Sequence, residues 1–362
     1  MNKKILVTRP FLPPINEYIS YLQLIWENNI LTNNGPLVQE LEEKLEKKLR
    51  LKNLVLTSNG TMGIQLAIKA LHLKGEIITT PFTFIATASA INWENCSPVF
   101  VDIDPETFNI DPSKIEDRIS KNTAAILAVH TFSNPCDIEA IDRISKKYNL
   151  KIIYDAAHAM FVDYKEKSIL EYGDISVVSF HATKLFNTVE GGACVTRNEK
   201  LMNRLKSLRN FGFNEQKEII DFGTNAKMSE MHAAMGLANL KYMDNELNNR
   251  KEKYELYLNL LNNNSSIRFQ KIRKENYNFS YMPVLFSDED KLTIALKVLN
   301  ENNIFPRRYF YPALSSLKLF AKNNENLKIT ENISKRVLCL PLYGKLKIEE
   351  ITNICKLINN VI

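Results

Sequence analysis

VVSFHATKLFNTVEGG, residues 177–192, is an apolar run that breaks into a polar turn holding a single lysine, Lys184. β-Branched and aromatic residues crowd 177–180 without helical periodicity, the pattern of a strand ending inside a core. Glu190, Gly191 and Gly192 close the turn, and ACVT at 193–196 reads as the next strand. Lys184 therefore lies between two short buried strands, where an ammonium is costly to desolvate and an amine is suited to a Schiff base with an aldehyde cofactor. Taken alone, the pattern also suits a loop lysine in water.

The surrounding chain has the composition of a globular protein. Of its 362 residues, 45% are apolar and 24% charged, and no uninterrupted apolar run reaches the roughly 18–20 residues of a membrane-spanning helix. The N-terminal apolar stretch, 5–7, is too short for a secretory segment, so the expected compartment is the cytoplasm. Five scattered cysteines without CxxC spacing argue against a disulfide framework or a zinc site, and no metal is expected. The net charge of +6 is spread along the chain rather than gathered in an arm, which gives no indication of nucleic-acid binding and suits an anionic small substrate.

Residues 1–50 form a proline-punctuated lead, a helical pattern at 15–26, the turn TNNGP at 32–36 and an amphipathic helix carrying Val38, Leu41, Leu45 and Leu49. From 51 to about 240, strand, turn and helix alternate. Strands are expected at 53–56, 76–79, 97–101, 124–129, 151–154, 175–180 and 193–196, with helices at 83–93, 112–119, 137–148 and 199–209. Such alternation implies an α/β fold with a mainly parallel sheet flanked by helices, and ligands collect at the carboxyl ends of its strands. A helical pattern over 228–261 leads into a smaller α/β unit at 241–362, with strands at 279–286, 304–310 and 336–340 and helices at 288–302 and 347–361.

Three further features fall on that carboxyl edge. Ser58-Asn59-Gly60-Thr61 joins a strand to a helix and offers free amides and hydroxyls to a phosphate, although the same four residues also suit an ordinary helix cap. No GxxxxGK[ST] or GxGxxG occurs, which excludes the usual nucleotide loops. Asp155 ends the apolar strand of KIIYDAAH; it suits the pyridine nitrogen of pyridoxal phosphate, and equally a metal or a helix cap. Phe84, in TPFTF, is an aromatic that could cover a flat cofactor or sit in the core.

The order of these features resembles the DegT/DnrJ/EryC1/StrS family of sugar aminotransferases, pyridoxal-phosphate enzymes of fold type I. The resemblance covers essentially the whole chain through TNNGP at 32–36, SNGTMGIQLA at 58–67, TTPFTFIATASAI at 79–91, PVFVDIDPETFNID at 98–111, VHTFSNPCDI at 129–138, IIYDAAHA at 152–159, SFHATK at 179–184, EGGA at 190–193, GTNAKMSEMHAAMG at 223–236 and LCLPLY at 338–343. It implies that 51–240 is the pyridoxal-phosphate domain and that Lys184 bonds the cofactor and moves the proton. Asp155 would pair with the pyridine nitrogen, Phe84 cover the ring, and Gly60, Thr61 and Ser179 hold the phosphate. Asn225 would reach that phosphate from a neighbouring subunit, making a homodimer with shared sites.

His158 stands where many relatives carry glutamine, near the ring hydroxyl; a packed histidine is the alternative. His181 is a substrate or structural contact. Because the lysine is kept, transamination is favoured over the dehydration run by a branch with histidine in its place. SFHATKLFNTVEGG and PRRYFYPAL at 306–314 look most like the branch that aminates C4 of dTDP-4-keto-6-deoxyglucose with L-glutamate, for surface polysaccharide. Arg307, Arg308 and Tyr309 would then contact the nucleotide diphosphate or the sugar, unless they are a solvated strand end. Rival readings are C3 or UDP-sugar amination within the family and, from a different class, a non-catalytic ligand sensor on the same fold.

Overall fold

The computed structural model describes residues 4–273, 277–323 and 327–362. Seven strands build the main sheet: β1 (Leu54–Thr57), β2 (Gly75–Thr79), β3 (Cys96–Phe100), β4 (Thr123–Val129), β5 (Lys151–Asp155), β6 (Ile175–Ser179) and β7 (Gly192–Val195). Their order across the sheet is β1-β7-β6-β5-β4-β2-β3. Five neighbouring strands, from β6 to β3, pair in parallel, and β7 runs antiparallel to both β6 and β1. The α/β expectation is borne out, with one antiparallel strand.

That strand decides where Lys184 sits. A parallel partner for β6 would need a crossover helix to carry the chain to the opposite edge. Residues 180–191 instead turn back directly, so that Gly192 pairs with Ser179 and Thr57 at the carboxyl ends of β6 and β1. The turn holding Lys184 is thereby kept on the edge where Thr57, Asp155 and Ser179 end their strands. β1, β5 and β6 are buried along almost their whole length, with apolar side chains on both faces, as helix-covered parallel strands require.

The lead of the chain packs into this body. Helix Pro36–Leu49 buries Leu37, Val38, Leu41, Leu45 and Leu49 in the same core as β1, β5 and β6. Its cap comes from far along the chain: the buried Glu230 carboxylate accepts the N–H groups of Leu37 (2.8 Å) and Val38 (2.9 Å). A negative charge there favours the helix N-terminus. The close approach also explains Gly35 in TNNGP, since a Cβ at that position would stand 2.7 Å from Glu230 Cδ. Asn34 in the same motif accepts from the buried Arg209, which also bonds Glu42 and the Leu56 carbonyl at the end of β1.

A second, antiparallel sheet of Ile267–Phe269, Met282–Phe286 and Val337–Leu340 carries helices Met243–Leu261, Glu289–Glu301 and Ile348–Asn359. Between the two sheets lies an aromatic cluster of Phe82, Phe108, Phe132 and Phe310 with Leu285 and Val337. Asp102, just beyond β3, adds a polar tie by accepting the Ile329 and Thr330 N–H groups at the start of helix Lys328–Arg336.

Three local expectations change. The pattern over 228–261 is two helices, Glu230–Leu240 and Met243–Leu261, broken at Lys241 and Tyr242, because the first buries its alanines in the large core and the second buries Tyr254, Tyr257 and Leu261 in the small one. Residues 112–119 form two short 3-10 turns, with only Ile115 buried to anchor them. The strand expected at 304–310 stops at Phe305: Pro306 has no N–H to continue the ladder, and pairing resumes only as a bridge between Arg307 and Cys339. Among the described residues no helix is long and apolar enough to cross a membrane.

Candidate active site

Lys184 is held in a tight turn, its N–H donating to the His181 carbonyl at 2.8 Å while Thr188 N–H closes back on the Phe180 carbonyl at 2.9 Å. The buried rings of Phe180 and Phe186 pack edge to face and root the turn in the core. Burial lowers the lysine pKa from its ordinary 10.5 to about 8; the Asp155 carboxylate opposes this and the Arg307 guanidinium adds to it. Nζ lies 3.5 Å from the Tyr281 hydroxyl, at the limit of hydrogen-bond reach. An amine of this kind is part neutral near neutral pH, which a nucleophile or base requires.

Asp155 ends β5 with its side chain buried. Oδ2 accepts from the Thr87 hydroxyl at 2.7 Å and Oδ1 from Ala157 N–H at 3.1 Å. Burial raises its pKa, and those two hydrogen bonds and Lys184 pull against the rise. A buried carboxylate with a raised pKa is stabilised by a cation brought opposite it. Thr87 is itself held by Thr83 at 2.9 Å, inside TPFTF, so the motif orients the carboxylate through its hydroxyls.

At the third corner, Asn59 caps helix Gly60–Ala70 by accepting Met62 N–H at 2.8 Å, which leaves the first amides of the helix free for an anion. The cap reading of Ser58–Thr61 is thus observed, and it leaves room for an anion at the same turn. Ser179, ending β6, lies beside this turn: a Cβ on Gly60 would stand 3.0 Å from Ser179 Cβ, and one on Gly192 would stand 2.8 Å from Gly60 N. The glycines keep the cradle open.

His158, three residues past Asp155, packs between aromatic rings, 4.6 Å from Tyr281 and parallel to Phe310 at 6.1 Å. Burial and the Lys184 charge hold its pKa well below the ordinary value, and its buried Nδ1 has no hydrogen-bond partner. A neutral imidazole with an orphaned ring nitrogen is suited to a hydroxyl or phenolate oxygen of a bound group.

The remaining candidates divide. Tyr309 packs edge to face on Tyr281 at 5.5 Å and carries the Arg307 guanidinium over its ring at 4.8 Å, so both face the Lys184 side. Arg308 does not: it is spent on Glu289 (2.8 Å), the Lys335 carbonyl (2.8 Å) and the face of Tyr311. Phe84 is exposed at the start of helix Ile85–Trp93, and Asn225 is exposed next to Ala226, whose carbonyl accepts Ser58 N–H. His181 stands on the rim, bonded to the Thr183 hydroxyl at 2.8 Å, with Nε2 3.6 Å from Glu190.

Two residues of the site, Thr87 and Tyr281, are not among those the sequence motifs single out. Thr87 sits one turn into the helix after TPFTF, where a hydroxyl facing the sheet is a usable signal. Tyr281 lies 97 residues from Lys184 and carries no local signal at all. A cleft of about 610 Å³ between the 104–116 loop and helix Ile138–Tyr148 lies apart from this chemistry, and its Glu116–Lys147 and Asp137–Arg273 pairs neutralise one another.

An amine of lowered pKa, a carboxylate that calls for a cation and an amide cradle for a dianion share one sheet edge, and these fit pyridoxal phosphate. The sequence profile of the DegT/DnrJ/EryC1/StrS aminotransferase family matches residues 15–359. The chain belongs to that family. A dTDP-4-amino-4,6-dideoxy-D-glucose transaminase of Shigella dysenteriae is 43% identical over 96% of each chain. One of Escherichia coli with the same description is 40% identical over 99% of this chain and 98% of the relative. Among solved structures, DesI in the presence of its TDP-sugar product superposes with a TM-score of 0.94 at 32% identity, covering 99% of this chain and 93% of that one. The family is one of pyridoxal-phosphate-dependent sugar aminotransferases.

Proposed function

We propose that the protein moves the amino group of L-glutamate to C4 of dTDP-4-keto-6-deoxy-D-glucose, giving dTDP-4-amino-4,6-dideoxy-D-glucose for surface polysaccharide. The observation that carries the transamination is the Lys184–Asp155 pair, a half-buried amine of lowered pKa on the same edge as a buried carboxylate. The choice of sugar is supported by the two transaminases at 43% and 40% identity. A C3 or UDP-sugar enzyme is the reading that would replace it.

Pyridoxal phosphate, when bound, supplies an aldehyde carbon that carries the amino group between substrates and a ring that draws electrons from the reacting carbon. Lys184 would hold the cofactor, then, once freed, take the proton from the α-carbon of glutamate at Nζ and return one in the sugar half-reaction. Asp155 would hold the pyridine nitrogen in its protonated form, with Thr87 and Ala157 N–H fixing the carboxylate. Gly60, Thr61 and Ser179 would bind the phosphate, Phe84 would cover one ring face and His158 would face the ring oxygen. We assign substrate anions to Arg307, beside Tyr309, and leave Arg308 to its pairing with Glu289. His181 and Glu190 would line the entrance.

We read the molecule as a homodimer in the cytoplasm, divided into a lead at 1–50, a cofactor domain at 51–240 and a small domain at 241–362. The dimer is supported by apolar side chains left bare near Asn225: Phe222 is 89% exposed, Ile219 72% and Ile220 62%. Asn225 would then serve the partner's phosphate site. Incubating the holoenzyme with L-glutamate and, separately, 3-keto and 4-keto dTDP- and UDP-sugars, with the amino position read by NMR, tests the assignment. Amination of the 4-keto dTDP-sugar at C4 is expected; preferred amination at C3 or of a UDP-sugar would replace this substrate.

A further inference from the structure

We propose that Tyr281 is a positioning residue of the reaction, its phenol holding the Lys184 amine in place whenever the lysine is released; this rests on the aminotransferase reading. The phenol and the amine are each other's only hydrogen-bond partner among the described residues, at 3.5 Å. Both side chains are half-buried in the wall of the site, so either one without the other would lose its described partner where water reaches it only in part. The Asp155 oxygens nearby are engaged by Thr87 and Ala157.

The direction of the hydroxyl is fixed by its surroundings. The Tyr281 ring meets Phe132 at 5.5 Å, His158 at 4.6 Å and Tyr309 at 5.5 Å with planes at 90°, which leaves no free face on which to swing. Its backbone is tied to the cofactor loop as well. Asn278, fully buried, donates to the carbonyls of His158 (2.7 Å) and Met160 (2.8 Å), and its Oδ1 accepts Ser280 N–H at 3.1 Å. Tyr281 is thus registered to the loop that follows Asp155, although it immediately precedes strand Met282–Phe286 of the other sheet. Burial holds the phenol pKa well above its usual value, so the group stays a neutral dipole that orients Nζ without taking its proton. A lysine side chain carries up to about 2 kcal/mol of rotamer entropy, and a fixed acceptor removes much of the search by which the freed amine would regain the α-carbon proton.

The test uses Tyr281→Phe, which keeps the ring, and Asn278→Ala, which keeps the phenol but cuts its tie. In the holoenzyme, the single-turnover half-reaction with L-glutamate deuterated at the α-carbon should slow at least about tenfold in both variants, the equivalent of a lost hydrogen bond to a charged group. The isotope effect should rise and the glutamate dissociation constant stay within about twofold. In the apoprotein, acylation of Lys184 against pH, read by mass spectrometry, should give an apparent pKa below the wild-type value by about half a unit in Tyr281→Phe, because the ammonium loses an acceptor. The other groups facing this amine, Asp155, His158 and Arg307, are unchanged. Tyr257→Phe, which removes a buried hydroxyl bonded to the Pro341 carbonyl at 2.9 Å, should lower stability and move neither readout. Wild-type rate, isotope effect and acylation profile in Tyr281→Phe would overturn the inference. A shifted acylation profile beside a wild type inert to glutamate would overturn the aminotransferase reading and leave the contact standing.

Discussion

Replacing Lys184 by methionine should stabilise the protein in the absence of cofactor. The amine is an ordinary lysine in the unfolded chain, at 10.5, and is lowered to about 8 by burial in the folded one. The gap corresponds to roughly 3 kcal/mol against the folded state at neutral pH, where the group is protonated in both states. Methionine matches the stem in length and removes the charge, but leaves the Tyr281 hydroxyl unpaired, a loss of about 1 kcal/mol. The net expectation is a gain of about 2 kcal/mol at pH 7. Its pH dependence follows from the direction of the shift. Between about 8 and 10.5 the unfolded wild type binds a proton that the folded one has released, so wild-type stability rises through that window and the advantage of the variant fades. Urea unfolding of both apoproteins at pH 7 and at pH 10.5 measures this. Equal stability at pH 7, or a difference that does not change with pH, would refute the claim that Lys184 is held as a strained ammonium.

Four further substitutions separate the parts of the site. Thr87→Val removes the hydroxyl that reaches Asp155 at 2.7 Å and should leave a buried carboxylate one partner short, lowering glutamate turnover roughly tenfold to a hundredfold with KM little changed. Gly60→Val puts a branched side chain against Ser179, where a Cβ alone stands 3.0 Å away; equilibrium dialysis should show cofactor affinity at least about tenfold weaker, with far-UV circular dichroism unchanged. The two arginines should part company: Arg307→Met should raise KM for the nucleotide sugar about tenfold with little change in unfolding, while Arg308→Met should lower the melting temperature by a few degrees and leave KM alone, since its partner is Glu289.

The site was legible in the sequence where its parts are short and local. Strand-end Asp155, the Ser58–Thr61 turn and the Lys184 turn could each be assigned to one edge because a parallel sheet puts all carboxyl ends there, and the family motifs fix their order. Antiparallel β7 was not foreseen as such, yet it keeps the lysine turn on that edge. What local reading missed is long-range. Glu230 caps a helix that begins at Pro36, and Tyr281 meets Lys184 across the two sheets; neither contact leaves a periodic trace. Adjacent arginines illustrate the same limit: 307 and 308 are equal in sequence, but the backbone bridge to Cys339 turns one toward Tyr309 and the other toward Glu289. Pro306, by contrast, is a local signal, and the strand ends at Phe305 before it.

The central claim is that Lys184 carries nitrogen from glutamate to a 4-keto nucleotide sugar. The direct measurement is mass spectrometry of the sugar after incubating the holoenzyme with amino-labelled L-glutamate and dTDP-4-keto-6-deoxy-D-glucose, beside Lys184→Ala under the same conditions. Labelled nitrogen on the sugar with wild type, and a yield lower by at least about a thousandfold with the variant, is the predicted result. Unlabelled sugar with wild type, or equal labelling with Lys184→Ala, would contradict the account.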